Sequence, residues 1–140
     1  MAGSNAKIGK GIELRVGDGA ASESFTKFAE LKSLTPPTKT REMPDVTNSD
    51  SPGGYKQFIA GLKDGGEVAG DMNFVDDTAV DATDADFEAG TLRNYQIVFP
   101  NGRLLAFAAL VSSIGPAQVS QPSPMMFNVK LKVDGGWSIA

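Results

Sequence analysis

Residues 92–114 read LRNYQIVFPNGRLLAFAALVSSI, two apolar runs on either side of Pro100-Asn101-Gly102. Asn-Gly between alternating runs is the strongest short-range sign of a β-hairpin, because both residues tolerate the positive φ that tight hairpin turns need. With Asn101 and Gly102 as the central turn residues, Phe99 falls near Leu104, Ile97 near Ala106 and Tyr95 near Ala108, and one apolar face results. The other face carries Leu105, Phe107, Ala109 and Val111, so the second strand is expected to be buried on both sides.

Working outward from this hairpin, period-two alternation recurs along the chain. Ile12, Leu14 and Val16 alternate with Glu13 and Arg15, and Phe127, Val129, Leu131 and Val133 alternate with Asn128, Lys130 and Lys132. Val68, Met72 and Phe74 oppose Glu67, Asp71 and Asn73, with Gly70 between them marking a bulge or a close backbone approach. Gly17-Asp18-Gly19, Asp64-Gly65-Gly66 and Asp134-Gly135-Gly136 supply turns, and Trp137 and Ile139 end the chain on an apolar alternation. Residues 24–34, SFTKFAELKSL, suit a helix by one spacing and a strand by the other, and periodicity leaves the two open.

Residues 78–90, TAVDATDADFEAG, are the helix candidate. Thr78 can cap the first turn, Asp81 can complete a capping box, and Gly90 can close the far end. Val80 and Phe87, about two turns apart, face one way. Frequent turns, many short strands and one helix predict a mainly β fold, an antiparallel β-sandwich or barrel with one flanking α-helix. The chain is expected to hold a flexible arm over residues 1–11 and a single domain over residues 12–140. Within that domain, residues 36–54, PPTKTREMPDVTNSDSPGG, form a long loop with four prolines. A connection of this length is unusual in a compact domain and often functional. Its residues 38–46 read as a short ribbon interrupted by Pro44.

The composition removes most chemistry. The chain of 140 residues has no cysteine and no histidine, so disulfides, thiolate nucleophiles and the commonest proton-transfer side chain are absent. A formal charge of −4 runs against general nucleic-acid binding, which gains affinity by placing cations on phosphates. The longest apolar run, residues 104–111, is too short to cross a bilayer, so no membrane insertion is expected. Two lysines near the N-terminus have no apolar stretch behind them, so the segment does not read as a secretory signal, and a cytoplasmic place of synthesis and assembly is expected.

Motifs that carry chemistry elsewhere fail here on spacing. Gly17-x-Gly19 follows a strand, but Ser22 stands where a dinucleotide loop needs its third glycine. The acids Asp76, Asp77, Asp81, Asp84, Asp86 and Glu88 cluster, yet counting from Asp84 puts Ala89 and Tyr95 where a calcium loop needs glycine and glutamate. They read as a solvated helix face with negative charge toward its N-terminus. No base is placed to activate a serine, so no catalytic residue, cofactor or metal site is assigned, and the chain is not expected to be an enzyme. An antiparallel sandwich does have edges, and edges paired head to tail between copies close a ring that can stack into a filament.

The run over residues 45–74, DVTNSDSPGGYKQFIAGLKDGGEVAGDMNF, resembles the central segment of siphophage-type major tail tube proteins. The matching positions are Val46-Thr47, then Ser51, Pro52, Gly53 and Gly54, then Phe58-Ile59, Gly61-Leu62 and Gly66-Glu67-Val68. The acidic helix, the YQIVFPNGRLLAF hairpin and the late VKLKVDG strand follow in the same order, so the likeness covers roughly residues 12–135. The resemblance implies a β-sandwich with a flanking helix, hexameric rings whose inner strands join into one barrel, and residues 25–34 as a strand. It also implies a virion-tail location, stacking on a tape-measure protein, contacts with tail terminator and tail-tip proteins, and DNA passing through the lumen without specific binding. Many relatives carry a further immunoglobulin-like domain that residues up to 140 do not include. On this reading residues 36–54 contact the next ring, through Thr40, Arg41, Glu42, Asp45, Val46, Thr47, Asn48 and Ser49. Hcp-like secretion rings and gene-transfer-agent tubes share the fold and differ in cargo. A carbohydrate-binding sandwich would want an aromatic platform, whereas Tyr55 and Trp137 stand isolated.

Overall fold

The computed structural model of the chain describes residues 9–117 and 119–140. The expected arm over residues 1–11 lies outside them except for Gly9, Lys10 and Gly11, as does Gln118 in the loop after the hairpin. The strands are β1 (Glu13–Gly17), β2 (Phe25–Lys27), β3 (Leu31–Thr35), β4 (Thr40–Arg41), β5 (Lys63–Asp64), β6 (Glu67–Asn73), β7 (Arg93–Val98), β8 (Leu104–Pro116), β9 (Met126–Val133) and β10 (Ser138–Ile139). One helix, α1 (Thr78–Ala89), lies between β6 and β7. The fold is the expected antiparallel β architecture with a flanking helix.

Eight of these strands form one sheet in the order β2-β1-β7-β8-β9-β6-β3, with β10 also on β8. The 13-residue β8 organises it. Its first half pairs with β7 and its second half with β9, so it passes from one half-sheet to the other. A single core fills the space between the halves, with Leu14, Tyr95, Ile97 and Leu105 from one and Val68, Met72, Val129 and Leu131 from the other, each at most 1% exposed. β2 and β3 sit at opposite ends of the sheet although they are consecutive in the chain. The backbone bends between them, with Glu30 at φ 51°. Phe28 N–H donates to Leu14 O at 2.9 Å on one side of the bend, and Asn73 N–H donates to Glu30 O at 3.1 Å on the other. The ambiguous segment is therefore a strand, as the family resemblance implies, but one broken by a change of half-sheet that neither periodicity describes.

The strand over residues 126–133 keeps its expected faces, with Phe127, Val129, Leu131 and Val133 buried and Asn128, Lys130 and Lys132 exposed. The hairpin differs from its expected register by one residue. Tyr95 opposes Phe107 and Ile97 opposes Leu105. The connection is a three-residue loop: Gly102 N–H closes on Phe99 O at 2.9 Å, Phe99 N–H on Arg103 O at 2.9 Å, and Gly102 takes φ 86°. Pro100 is suited to the second turn position, which lengthens the loop and shifts the pairing. A shift of one turns every side chain to the opposite face. Leu105, Phe107 and Ala109 thus face the core with Tyr95 and Ile97, while Leu104 and Ala108 are half-buried and Ala106 and Leu110 exposed. In the single chain β8 is not buried on both sides.

The helix also starts differently from its sequence reading. Asp77, not Thr78, is the cap, accepting from Ala79 N–H at 3.0 Å through Oδ1, and its other oxygen accepts from Ala29 N–H at 2.8 Å. Gly90 closes the helix at φ 68° as expected. The buried face is Ala79, Thr83 and Asp86, with Phe87 turned outward. Asp86 pairs with Arg93 Nε at 3.1 Å, and Arg93 Nη1 reaches Asp18 O at 3.0 Å, which fastens the helix to the turn after β1. Gly70 marks no bulge: β6 and β9 pair without a break through it, and a methyl group added there would lie 3.5 Å from Leu34 Cδ1, an ordinary contact.

Candidate assembly surface

The residues from Lys39 to Gly66 leave the sheet as a two-stranded arm. At its base Thr40 pairs with Asp64 and Arg41 with Lys63. Glu42 N–H then donates to Leu62 O at 2.8 Å, Gly61 N–H to Glu42 O at 2.7 Å, Ile59 N–H to Pro44 O at 3.1 Å and Val46 N–H to Gln57 O at 2.9 Å. Pro44 has no N–H to offer, and its carbonyl still serves the ribbon. The tip closes on side chains: Gln57 N–H donates to the Thr47 hydroxyl at 2.7 Å, Thr47 N–H to Asp45 Oδ1 at 2.8 Å, and Asp50 N–H to Asn48 Oδ1 at 2.8 Å. Gly53 and Gly54 turn the chain there with φ of 65° and 72°.

The base of the arm is clamped to the sheet. Trp137 Nε1–H donates to Gly65 O at 2.8 Å, and Lys39 Nζ sits 4.3 Å from the centre of the Trp137 ring. Lys132 Nζ lies 2.9 Å and 3.1 Å from the two carboxylate oxygens of Asp64. The Gly66 N–H, first, and Lys132, second, hold the Asp64 carboxyl below its usual range. Glycine is required at both residues of the junction: a methyl group on Gly65 would lie 2.6 Å from Gly135 O, and one on Gly66 would lie 2.5 Å from Thr38 O at a φ of 92°.

All eight residues expected to contact another ring, Thr40, Arg41, Glu42, Asp45, Val46, Thr47, Asn48 and Ser49, lie exposed on the outgoing limb and tip of this arm. Ser51, Pro52, Gly53 and Gly54 lie at the tip, Gly61 and Leu62 on the returning limb, and Gly66 and Glu67 where that limb enters β6. The loop expected to contact another ring ended at residue 54 and so left out the returning limb, which carries Tyr55, Phe58, Ile59 and Leu62, although Phe58-Ile59 and Gly61-Leu62 were among the positions matched to the family. The clamp of Lys39, Gly65 and Trp137 was also missed, although the facing pairs Gly65-Gly66 and Gly135-Gly136 were a visible sign of two backbones in close approach.

Apolar exposure is concentrated on the arm. Among the described residues, six of the thirteen exposed large apolar side chains belong to it: Met43, Val46, Tyr55, Phe58, Ile59 and Leu62, with Tyr55 and Leu62 at 77% and 78%. A ribbon whose backbone bonds are internally satisfied and whose apolar side chains have nothing beneath them is built to be covered by something else. Among the described residues no group of three or more acids converges, and no helix is long and apolar enough to cross a membrane.

The structure is similar to the tail of an empty gene transfer agent particle of C6 symmetry, with TM-score 0.81 and 22% identity over 96% of this chain and 99% of that one. It is also similar to a chain of the anti-feeding prophage baseplate, with TM-score 0.75 and 9% identity over 98% and 97%, and to the SPP1 tail tube, with TM-score 0.66 and 11% identity over 91% and 75%. No curated protein matches the sequence. At these identities the superpositions establish the fold, while the family is settled by sequence: the model described as "Lambda phage tail tube protein, TTP" matches residues 15–140. With that match spanning nearly its whole length, the chain belongs to the lambda phage tail tube protein family.

Proposed function

We propose that this tail tube protein acts by self-association, forming hexameric rings that stack into the tube through which DNA is delivered. It is a structural element and not an enzyme. The observation that carries the reading is the arm: an ordered ribbon with six exposed large apolar side chains and no core of its own. The outgoing limb runs about eight residues from base to tip, which at about 3.3 Å per residue reaches roughly 25 Å from the sheet. That is far enough for the tip to lie on a subunit of the next ring, with residues 40–49 making the contact. A tape-measure protein within the tube, and tail terminator and tail-tip proteins at its ends, complete the set of partners. Assembly takes place in the host bacterial cytoplasm, and the product resides in the virion tail. The net charge of −4 favours a lumen in which DNA slides without being held.

Microscopy of the purified chain tests this. The intact protein is expected to form rings and tubes, whereas a variant lacking residues 40–49 keeps its β-sheet circular dichroism and gives rings that do not elongate. Tubes of normal length from the deletion would remove the arm from the inter-ring contact. An intact chain that stays monomeric at high concentration, even with tail-initiating components present, would overturn the tube reading itself.

A further inference from the structure

The arm leaves the body where β9 ends and β6 begins, beside Gly65 and Gly66. The opposite end of the same two strands lies seven residues along β6, roughly 23 Å away at 3.3 Å per residue. An apolar patch stands there. Phe74 follows β6 directly, and its N–H donates to Met125 O at 2.8 Å, which ties it to the start of β9. Its ring packs edge-on against buried Phe127 at 5.2 Å between centres, yet 40% of the residue stays exposed, as does 50% of Met125. Val119 lies two residues beyond Ala117, whose N–H bonds to Met126 O. Among the described residues outside the arm, Phe74, Val119 and Met125 make up three of the seven exposed large apolar side chains.

The rim of this patch is acidic. Glu30 is held beside it by Asn73 Nδ2 at 3.3 Å, Asp76 follows two residues after Phe74, and Asp71 lies on β6 just before it. Residues 115–127 carry no charge, and Lys32 on β3 is outnumbered. The arm offers the opposite charge on one of its two faces. Directly opposed residues of a ribbon share a face, and so do residues two apart on one limb. Phe58 opposes Asp45, so Met43 and Lys56 share the face of Phe58, whereas Val46 and Ile59 belong to the other. The acid on the Phe58 face, Asp45, is engaged within the arm by Thr47 N–H at 2.8 Å. The returning limb, residues 55–63, contains Lys56 and Lys63 and no acid.

Identical rings stacked through a heterologous contact all point the same way, so what projects from one end of a copy meets the other end of its neighbour. We propose that the Phe58 and Met43 face of the arm docks on Phe74 and Met125 of a copy in the next ring, with Lys56 beside Glu30 and Asp76. This rests on the stacked-ring reading above and names the receiving surface. A flexible thioether on each side lets the two phenyl rings settle against a partner without close prior fit. The charges at the rim set the register and disfavour other placements.

The chain contains no cysteine, so introduced thiols report cleanly. Ala60 shares the face of Phe58, and Ser123 lies two residues before Met125, so thiols at these positions flank the contact without removing its anchors. Tubes assembled from an equal mixture of Ala60→Cys and Ser123→Cys chains and treated with a bis-maleimide are expected to yield a covalent dimer holding one chain of each kind. Tubes of either variant alone, and of Ala60→Cys mixed with Gln96→Cys, stay unlinked. Met125→Asp, which alters an exposed side chain, keeps its β-sheet circular dichroism and gives rings that do not elongate. Lys56→Glu raises the protein concentration needed for elongation about tenfold, and Asp76→Lys in the same chain brings it back. Tubes visible by microscopy that give no mixed dimer, or that reach normal length from Met125→Asp, would overturn the docking and leave the stacked rings standing. Linking in the Gln96→Cys mixture instead would place the arm on the other half-sheet and overturn it equally. Intact chains that form no tubes would overturn the stacked-ring reading, and the docking with it.

Discussion

Tyr95 is fully buried, its ring stacked on Phe107 at 5.7 Å between centres and 15° between planes. Its hydroxyl has no hydrogen-bond partner among the described residues. Burial, with the Asp86 carboxylate adding to it, pushes that hydroxyl's pKa upward, so it remains protonated throughout the working range. A buried hydroxyl without a partner keeps its desolvation cost and gains nothing in return. Tyr95→Phe removes the oxygen and keeps the ring, and is expected to stabilise the subunit by about 1 kcal/mol in urea unfolding. A loss of similar size would reveal a hydrogen-bond partner. The identity of Tyr95 as a core residue was legible in the alternation of the hairpin, but its stacking partner was not. That depended on one extra residue in the turn, and the pair Asn101-Gly102 looks the same in a two-residue and a three-residue loop.

At the scale of elements, the same limit explains the helix. Two acids precede Thr78, and either Asp77 or Thr78 satisfies the local requirements of a cap. Asp77 takes the position because its second oxygen also holds Ala29 N–H, 48 residues away in sequence, a contact no local pattern encodes. Asp77→Ala is expected to cost about 2 kcal/mol, the loss of a cap together with a stranded backbone donor. Thr78→Ala changes stability by only a few tenths of a kcal/mol. Equal effects of the two substitutions in thermal unfolding would return the cap to Thr78. The strand over residues 126–133 was readable in full because one face meets the core and the other meets water. β8 was misread because its sequence is apolar on both faces, while the single chain covers only one. In a tube its outer stripe of Leu104, Ala106, Ala108 and Leu110 is the kind of surface another copy covers.

For the whole molecule, the sequence conveyed the class of fold and the absence of familiar catalytic patterns more readily than the shape of its working surface. Residues 36–54 stood out by proline content and length, yet only their pairing with residues 57–64 makes them a ribbon. That pairing is carried by backbone groups, which are the same for every sequence. The bend at Glu30 and the one-residue register shifts in β3 at Lys32 and in β8 at Ser112 were invisible for the same reason. Each is a decision made between distant strands.

The clamp at the base of the arm has a practical consequence. Trp137 is the single tryptophan of the chain, and it lies where the arm joins the body with an ammonium group poised over its ring. Its ultraviolet emission is therefore an optical gauge native to the protein, sensitive to the loss of that cation or of the indole hydrogen bond. Polymerisation that tugs on this joint can be timed by fluorimetry, without attaching a dye and without disturbing the surfaces that meet.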